Sequence, residues 1–132
     1  MKVVALLGAA FAVAVLAAPA TQAAQVQQHC PAGALVLPAD ATTRAAHAAL
    51  ASAASDYRGL NTKGATVLSA KRATAAGPRG AQVAHECGAT ARARTVVVEL
   101  HFPKMAPSAS LSEGTVDVSR FRNGFRVWAV VH

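Results

Sequence analysis

The C-terminal segment constrains the choice of fold most, because two strand-like runs flank the dipeptide Asn123-Gly124. Residues 115–119 alternate between polar and apolar positions with the period of two that β-strand residues show, and 125–131 is rich in the valine and aromatic residues that strands favour. Asn-Gly between two such runs is the strongest short-range signal for a β-hairpin. The sequence therefore predicts an antiparallel sheet, and the other elements must be compatible with it.

A two-residue turn at Asn123-Gly124 also predicts which side chains share a face of this hairpin. On one face the expected pairs are Arg122 with Phe125, Arg120 with Val127, Val118 with Ala129 and Val116 with Val131. On the opposite face they are Phe121 with Arg126, Ser119 with Trp128 and Asp117 with Val130.

Three further stretches are predicted as strands. The clearest is 94–102, in which the side chains divide into two alternating sets. One set is Val96, Val98, Leu100 and Phe102, and the other is Thr95, Val97, Glu99 and His101. The shorter strands are 66–73 and 82–87, and Gly88 is expected to end the latter.

A helix is predicted before these strands. Asp40 is a good N-cap, and the residues from Ala41 onward have helical spacing. Gly59 is at a plausible C-cap position. The face expected to be buried consists of Ala46, Leu50, Ala53, Ala54 and Tyr57.

Together these elements predict the α+β class, with one N-terminal amphipathic helix packed on a four- to five-stranded antiparallel meander sheet. The helix must cover the apolar face of the sheet, because neither element buries that surface alone. Residues 25–39 are predicted as an extended N-terminal segment and 40–132 as a single domain.

The order of a helix followed by a sheet over 40–132 resembles the topology of the cystatin-like and nuclear-transport-factor-like α+β group. The chain also resembles small secreted proteins of GC-rich Gram-positive bacteria, through residues 57–61, 95–100 and 127–132. This second resemblance implies secretion and a compact domain, and it implies no particular activity.

Residues 1–24 have the three parts of a secretory signal peptide. Lys2 provides the positive start, 3–18 is an uncharged apolar run, and small residues follow Pro19. A retained membrane anchor is the alternative, although the run is short for a span of about 20 residues. The sequence thus predicts a secreted, extracellular protein that meets the membrane only through its signal peptide before cleavage.

The chain is strongly basic, with 13 Lys and Arg against 6 Asp and Glu. All the cationic side chains except Lys2 follow the predicted signal peptide. A cationic extracellular domain is attracted to an anionic cell-envelope polymer or to an acidic protein, although the charge can also serve solubility alone. No motif indicates specific binding of nucleic acid.

Cys30 and Cys87 are the only cysteines. In an oxidising compartment such a pair predicts one disulfide, which on a chain-entropy estimate stabilises the fold by about 4 kcal/mol. The alternative is a metal site formed by these cysteines with His29 and His85, because His85 and Cys87 would project from one side of a strand. That site requires the reduced pair, so no cofactor is predicted.

The outer face of the sheet is expected to be wet and to carry a polar cluster. A histidine beside a carboxylate can perform acid–base chemistry, but no nucleophile motif accompanies this cluster. We therefore interpret it as a solvated face with cross-strand ion pairs and predict no enzymatic activity. The cluster consists of Glu99, His101, Asp117, Arg126 and Trp128.

Aromatic and arginine side chains of the hairpin form the predicted binding surface. Arg126 opposite Phe121 suits a cation–π contact, and exposed aromatic residues beside arginines are common at interfaces. The N-terminal segment or a second copy of the chain could also cover this face, the latter giving a homodimer. The predicted surface consists of Phe121, Arg126, Trp128, Arg120 and Arg122.

The sequence therefore favours a secreted, non-enzymatic binding protein that acts at the cell surface or on another secreted protein. The main alternative is an extracellular protease inhibitor that presents the loop 103–112. The Gln-x-Val-x-Gly motif of cystatins is absent, since residues 82–84 do not match it.

Overall fold

A computed structural model describes residues 29–105 and 112–131. The predicted signal peptide (1–24) and residues 106–111 of the loop 103–112 lie outside the described residues. The elements are α1 (Ala41–Asp56), β1 (Thr66–Arg72), α2 (Pro78–Cys87), α3 (Ala89–Ala93), β2 (Thr95–His101), β3 (Glu113–Phe121) and β4 (Gly124–Val131). None of the helices in the described ranges has the length and apolar character needed to cross a membrane.

The strands form one four-stranded antiparallel sheet in the order β1-β2-β3-β4, and α1 packs on one face of it. This architecture confirms the predicted α+β class and the meander. The sheet has four strands because the segment predicted as a fifth, 82–87, belongs to α2.

Helix α1 begins after Asp40, as predicted, and the Arg44 N–H donates to the Asp40 carbonyl at 3.2 Å. The predicted buried face was wrong for Ala46, Leu50 and Ala54, and Leu50 is 38% exposed. The helix packs through Ala41, Ala45, Ala49, Ala53 and the following Tyr57. Alanine fits either face of a helix at little cost, so an alanine-rich sequence specifies the buried stripe poorly.

The predicted C-cap at Gly59 was also wrong, because α1 ends at Asp56 with Tyr57 as its cap. Tyr57 is buried against Phe102, with 4.8 Å between the ring centroids. Its hydroxyl donates to the Thr115 carbonyl at 3.2 Å. This aromatic pair closes the core at the C-terminal end of α1.

The core lies between α1 and the middle of the sheet. The alternation predicted for β2 is confirmed, since all four members of its apolar set are fully buried. The strand residues of the core are Val96, Val98, Leu100, Val116 and Val118, followed by Phe102 beyond the end of β2.

The turn of the hairpin lies one residue earlier than predicted, so the partner of each β4 residue near the turn shifts by two, and Phe125 pairs with Arg120 and not with Arg122. Phe121 pairs with Gly124, so the turn consists of Arg122-Asn123. Among the described residues only glycines have a positive φ, and here it is Gly124, at +118°. A type I′ turn at Asn123-Gly124 would need positive φ at both residues, and Asn123 does not adopt it.

A bulge then shifts the register a second time. Val118 pairs with Val127 and Asp117 with Ala129, so Trp128 has no partner across the strands. Val130 consequently packs on the α1 side of the sheet rather than on the opposite side. Bulges change the direction of side chains in this way and are common beside functional sites.

Residues 82–87 are helical because the local start and stop signals favour a helix. Pro78 occupies the first turn, where its missing N–H costs nothing, and Gly88 ends α2 with φ of +90°. A run of only six residues does not distinguish a strand from a short helix. Gly80 lets α2 approach the preceding loop, since a Cβ there would lie 2.1 Å from the Thr74 carbonyl oxygen.

Helices α2 and α3 cover part of the second face of the sheet, which we define as the face opposite α1. The Thr95 hydroxyl donates to the Ala91 carbonyl of α3 at 2.7 Å. Thr95, Asp117 and Ser119 are fully buried on this face. The expectation that this face would be wet was therefore wrong for these residues.

Candidate functional site

The candidate site lies around the β3–β4 turn, and we call it the hairpin end. It consists of Arg44, Arg120, Phe121, Arg122, Phe125 and Arg126. Four of the five residues of the predicted binding surface are part of it. Trp128 is separate from it, at the bulge of β4.

Phe121 and Arg126 form the predicted cation–π contact, with 4.5 Å from the guanidinium carbon to the ring centroid. The two residues contact along a diagonal of the hairpin, because Arg126 pairs with Ser119 rather than with Phe121. Arg126 is exposed and Phe121 is half-buried. The ring therefore supports one face of an arginine whose side chain remains accessible.

A second stacked pair occupies the α1 side of the hairpin end. The guanidinium carbon of Arg44 lies 5.1 Å from the centroid of the Phe125 ring. Arg44 is exposed on α1, while Phe125 packs against the core. Sequence reasoning missed this pair, because only the tertiary packing of α1 on the hairpin brings the two residues together.

Arg120 lies opposite Phe125, and its Nη1 donates to the Val36 carbonyl at 3.3 Å. The Arg120 carbonyl in turn accepts from the Leu35 N–H at 2.7 Å. Arg122 is exposed in the turn itself. The predicted surface is thus divided between the two faces of the sheet, with Arg122 in the turn that joins β3 and β4.

The hairpin end has a strongly positive local charge. Within residues 29–105 and 112–131 the structure contains a single ion pair, Arg79 with Asp117. Arg44, Arg120, Arg122 and Arg126 therefore have no carboxylate within 4.0 Å among the described residues. Clustered cations without counter-charges produce a positive potential that attracts anionic groups.

Trp128 is half-buried, and its indole N–H is enclosed without an acceptor among the described residues. An enclosed donor without a partner loses its hydration without compensation. Trp128 also marks the place where the pairing of β4 with β3 is interrupted.

The outer edge of β4 adjoins the hairpin end. In the described part of the chain no strand pairs with this edge. An open groove of about 470 Å³ runs between β4 and α1, beside Phe125 and Val127. The α1 side of this groove is lined by Ala48, Ala51, Ser52, Ser55 and Asp56.

The polar cluster expected on the outer face is divided in the structure. Asp117 is fully buried and accepts from Arg79 of α2, with 2.8 Å from Nε to Oδ2. Burial raises the pKa of the Asp117 carboxyl, although the hydrogen bond and the charge of Arg79 act in the opposite direction. Sequence reasoning missed Arg79, because that residue lies between the predicted strands 66–73 and 82–87.

The remaining members of that cluster have other neighbours. Glu99 accepts from the Ser69 hydroxyl at 2.7 Å, and His101 pairs across the strands with Glu113. The structure thus joins Asp117 to α2 and Glu99 to β1. It does not assemble the five residues into one acid–base site.

The predicted disulfide joins Cys30 and Cys87, with 2.03 Å between the sulfur atoms. It attaches the N-terminal segment to the end of α2, since the predicted strand 82–87 that contains Cys87 is helical. His85 and Cys87 lie on a helix, where residues two apart do not share a side, so the geometry assumed for the metal alternative was wrong.

The disulfide leaves no thiolate at Cys30 or Cys87. Among residues 29–105 and 112–131, no group of three or more His, Cys, Asp or Glu side chains is arranged to hold a metal ion. The metal alternative with His29 and His85 therefore has no support from the geometry of the oxidised protein.

The base of the loop 103–112 is held by backbone contacts. The Phe102 N–H donates to the Ser112 carbonyl at 2.7 Å, and the Asn61 N–H donates to the Met105 sulfur at 3.2 Å. Residues 106–111 lie outside the described residues. The protease-inhibitor alternative depends on those residues and stays a prediction.

Comparison of the chain with protein-family models, with curated proteins and with solved structures found no match in any of the three. The topological likeness to the cystatin-like and nuclear-transport-factor-like group therefore stays a prediction.

Proposed function

We propose that this protein is a non-enzymatic, secreted binding domain that acts at the cell surface or on another secreted protein. In this proposal it recognises an anionic partner through the hairpin end. The observation that carries the proposal is the group of four arginines around Phe121 and Phe125, which have no carboxylate partner among the described residues.

The chemistry of these side chains suits a carboxylate or a phosphate. A guanidinium group presents five N–H donors in one plane and can bind two oxygens of such an anion at once. Phe121 and Phe125 stack on the faces of Arg126 and Arg44, which leaves the N–H groups at the edges of each plane. Stacking also restricts the side chain in advance, so less conformational freedom is lost on binding.

Two features support an extracellular location. Residues 1–24 have the pattern of a signal peptide, and Cys30 is bonded to Cys87. Disulfides of this kind persist in oxidising compartments and are rare in the cytosol.

Binding of soluble polyanions tests this proposal. We expect polyglutamate and polyphosphate to bind the protein, with an affinity that falls as salt increases. The double substitution Arg122→Glu and Arg126→Glu should weaken binding by about tenfold or more. Two exposed ion pairs of up to about 1 kcal/mol each are lost and replaced by repulsion.

The matched control is the double substitution Lys63→Glu and Lys104→Glu. Both lysines are exposed and flank the opposite end of the sheet, where Thr66 pairs with His101. The control has the same net charge as the test variant. Equal losses in the two variants would show that net charge alone causes binding, and no binding by the unmodified protein would refute the proposal.

A further inference from the structure

We infer that the unpaired edge of β4 takes up an acidic, extended segment of another protein as a fifth strand of the sheet. This inference rests on the proposed function and specifies its partner. The hairpin end then binds the acidic side chains, and the β4 edge binds the backbone of the same segment.

The backbone of β4 is open along eight residues, Gly124–Val131. In the described part of the chain these residues form no backbone hydrogen bond other than those to β3. Only one of the eight, Arg126, is charged. An edge strand of this length and composition offers a row of N–H and C=O groups to an incoming strand.

The other edge of the sheet is less suited to this role. Both edge strands contain one bulge, but β1 carries two adjacent cations, Lys71 and Arg72, whereas β4 carries only Arg126. Charged side chains on an edge strand are one device by which natural proteins prevent pairing there. The Arg72 guanidinium also donates to the Pro38 carbonyl, so it is already engaged on this chain.

The groove between β4 and α1 determines which side chains the added strand can carry. Successive residues of an added strand would point alternately into this groove and away from it. Its α1 side is formed by small side chains, including Ala48, Ala51 and Ser52. Small or β-branched apolar residues at alternate positions therefore fit the groove.

The charged side chains around β4 determine where the acidic residues of the partner segment lie. The hairpin end supplies Arg122 and Arg126, neither of which has a carboxylate partner among the described residues. Asp56 lines the same groove and would repel a further carboxylate beside it. The acidic residues of the segment are thus expected next to the β3–β4 turn, followed by the alternating apolar residues.

The test uses a synthetic peptide that has an acidic cluster at one end and alternating valine and threonine residues thereafter. Two further peptides of the same charge are N-methylated on alternate residues, one on the odd and one on the even positions. Only one set of N–H groups faces β4 in an added strand. We expect the unmodified peptide to bind, one N-methylated peptide to lose about tenfold or more in affinity, and the other to retain it.

Equal affinity of all three peptides, or equal loss in both N-methylated peptides, would overturn the inference. The binding of polyglutamate distinguishes a failure of this inference from a failure of the proposed function. If polyglutamate binds and the three peptides bind equally well, the inference fails and the proposed function stands. Sedimentation of the protein without peptide tests whether a second copy of the chain occupies the β4 edge instead. A stable dimer would assign the β4 edge to a second copy and would also overturn the inference.

Discussion

The arginine of α2 and the arginines of the hairpin end have opposite surroundings. Arg79 has a side chain that is only 11% exposed and pairs with the fully buried Asp117. Arg122 and Arg126 are exposed and have no carboxylate partner among the described residues. The same residue type thus holds a helix on the sheet in one region and leaves positive charge open to a partner in the other.

This difference shows why a count of basic residues says little about function. Of the 13 Lys and Arg side chains, Arg79 is already neutralised by Asp117 within the fold. The useful quantity is the number of cations in one region that have no counter-charge. By that criterion the hairpin end, and not α2, is the candidate for binding.

Breaking the buried ion pair of Arg79 and Asp117 should have the largest effect on stability. Arg79→Met leaves the Asp117 carboxylate buried without its partner, so we expect a loss of about 3–5 kcal/mol in the free energy of unfolding. Urea unfolding with the disulfide intact measures this loss. Arg79→Met combined with Asp117→Leu should recover most of it, because no buried charge is left unpaired. An unchanged free energy of unfolding in Arg79→Met alone would mean that the ion pair does not hold α2 on the sheet.

Removing the disulfide should have the next largest effect. Replacing Cys30 and Cys87 together by serine is expected to cost about 2–4 kcal/mol, because the unfolded chain gains freedom. Affinity for polyglutamate should stay unchanged under conditions where this variant is folded. A change in affinity in the folded variant would show that the disulfide region contributes to the binding surface.

The buried hydroxyl of Tyr57 predicts a loss of stability at high pH. Burial, with smaller contributions from the Asp56 and Asp117 carboxylates, raises the pKa of Tyr57 above its ordinary value. The folded state therefore favours the neutral phenol, and stability should fall as pH rises above about 10, where the unfolded tyrosine ionises. Tyr57→Phe should reduce this fall and lose about 1 kcal/mol at neutral pH. An unchanged pH profile in Tyr57→Phe would contradict the assignment.

The stacked pair at the hairpin end predicts the smallest effect. Phe121→Leu removes the ring from Arg126 and leaves every charge in place. We expect affinity for polyglutamate to fall by a few-fold, consistent with about 0.5–1 kcal/mol for an exposed cation–π contact. Leu68→Ala, at an exposed residue of β1, is the control and should leave affinity unchanged. Equal affinities for Phe121→Leu and the unmodified protein would mean that the ring does not position the arginine.

The features predicted from sequence are those set by local pattern. The alternation of β2 correctly placed Val96 and Val98 in the core, and Asp40 correctly marked the start of α1. The paired cysteines were also identified, because the number of cysteines and the expected compartment left one pairing.

The features missed depend on competition between local signals or on tertiary packing. Pro78 favours a helix over 78–87, and the residues 82–87 that were predicted as a strand have no regular alternation to oppose it. The positive φ of Gly124 and the bulge at Trp128 both shifted the hairpin register, and neither can be read from the alternation. Arg44 and Arg79 acquire their neighbours only when helices pack on the sheet.

Mapping the bound polyanion by nuclear magnetic resonance tests the central claim most directly. Polyglutamate would be titrated into the labelled protein while the backbone amide shifts are followed. If the hairpin end is the binding site, the largest changes in amide shift occur at 120–127 and at Arg44, and the amides around Lys63 and Lys104 change little. Changes of similar size at all cationic positions, or the largest changes around Lys63 and Lys104, would contradict it.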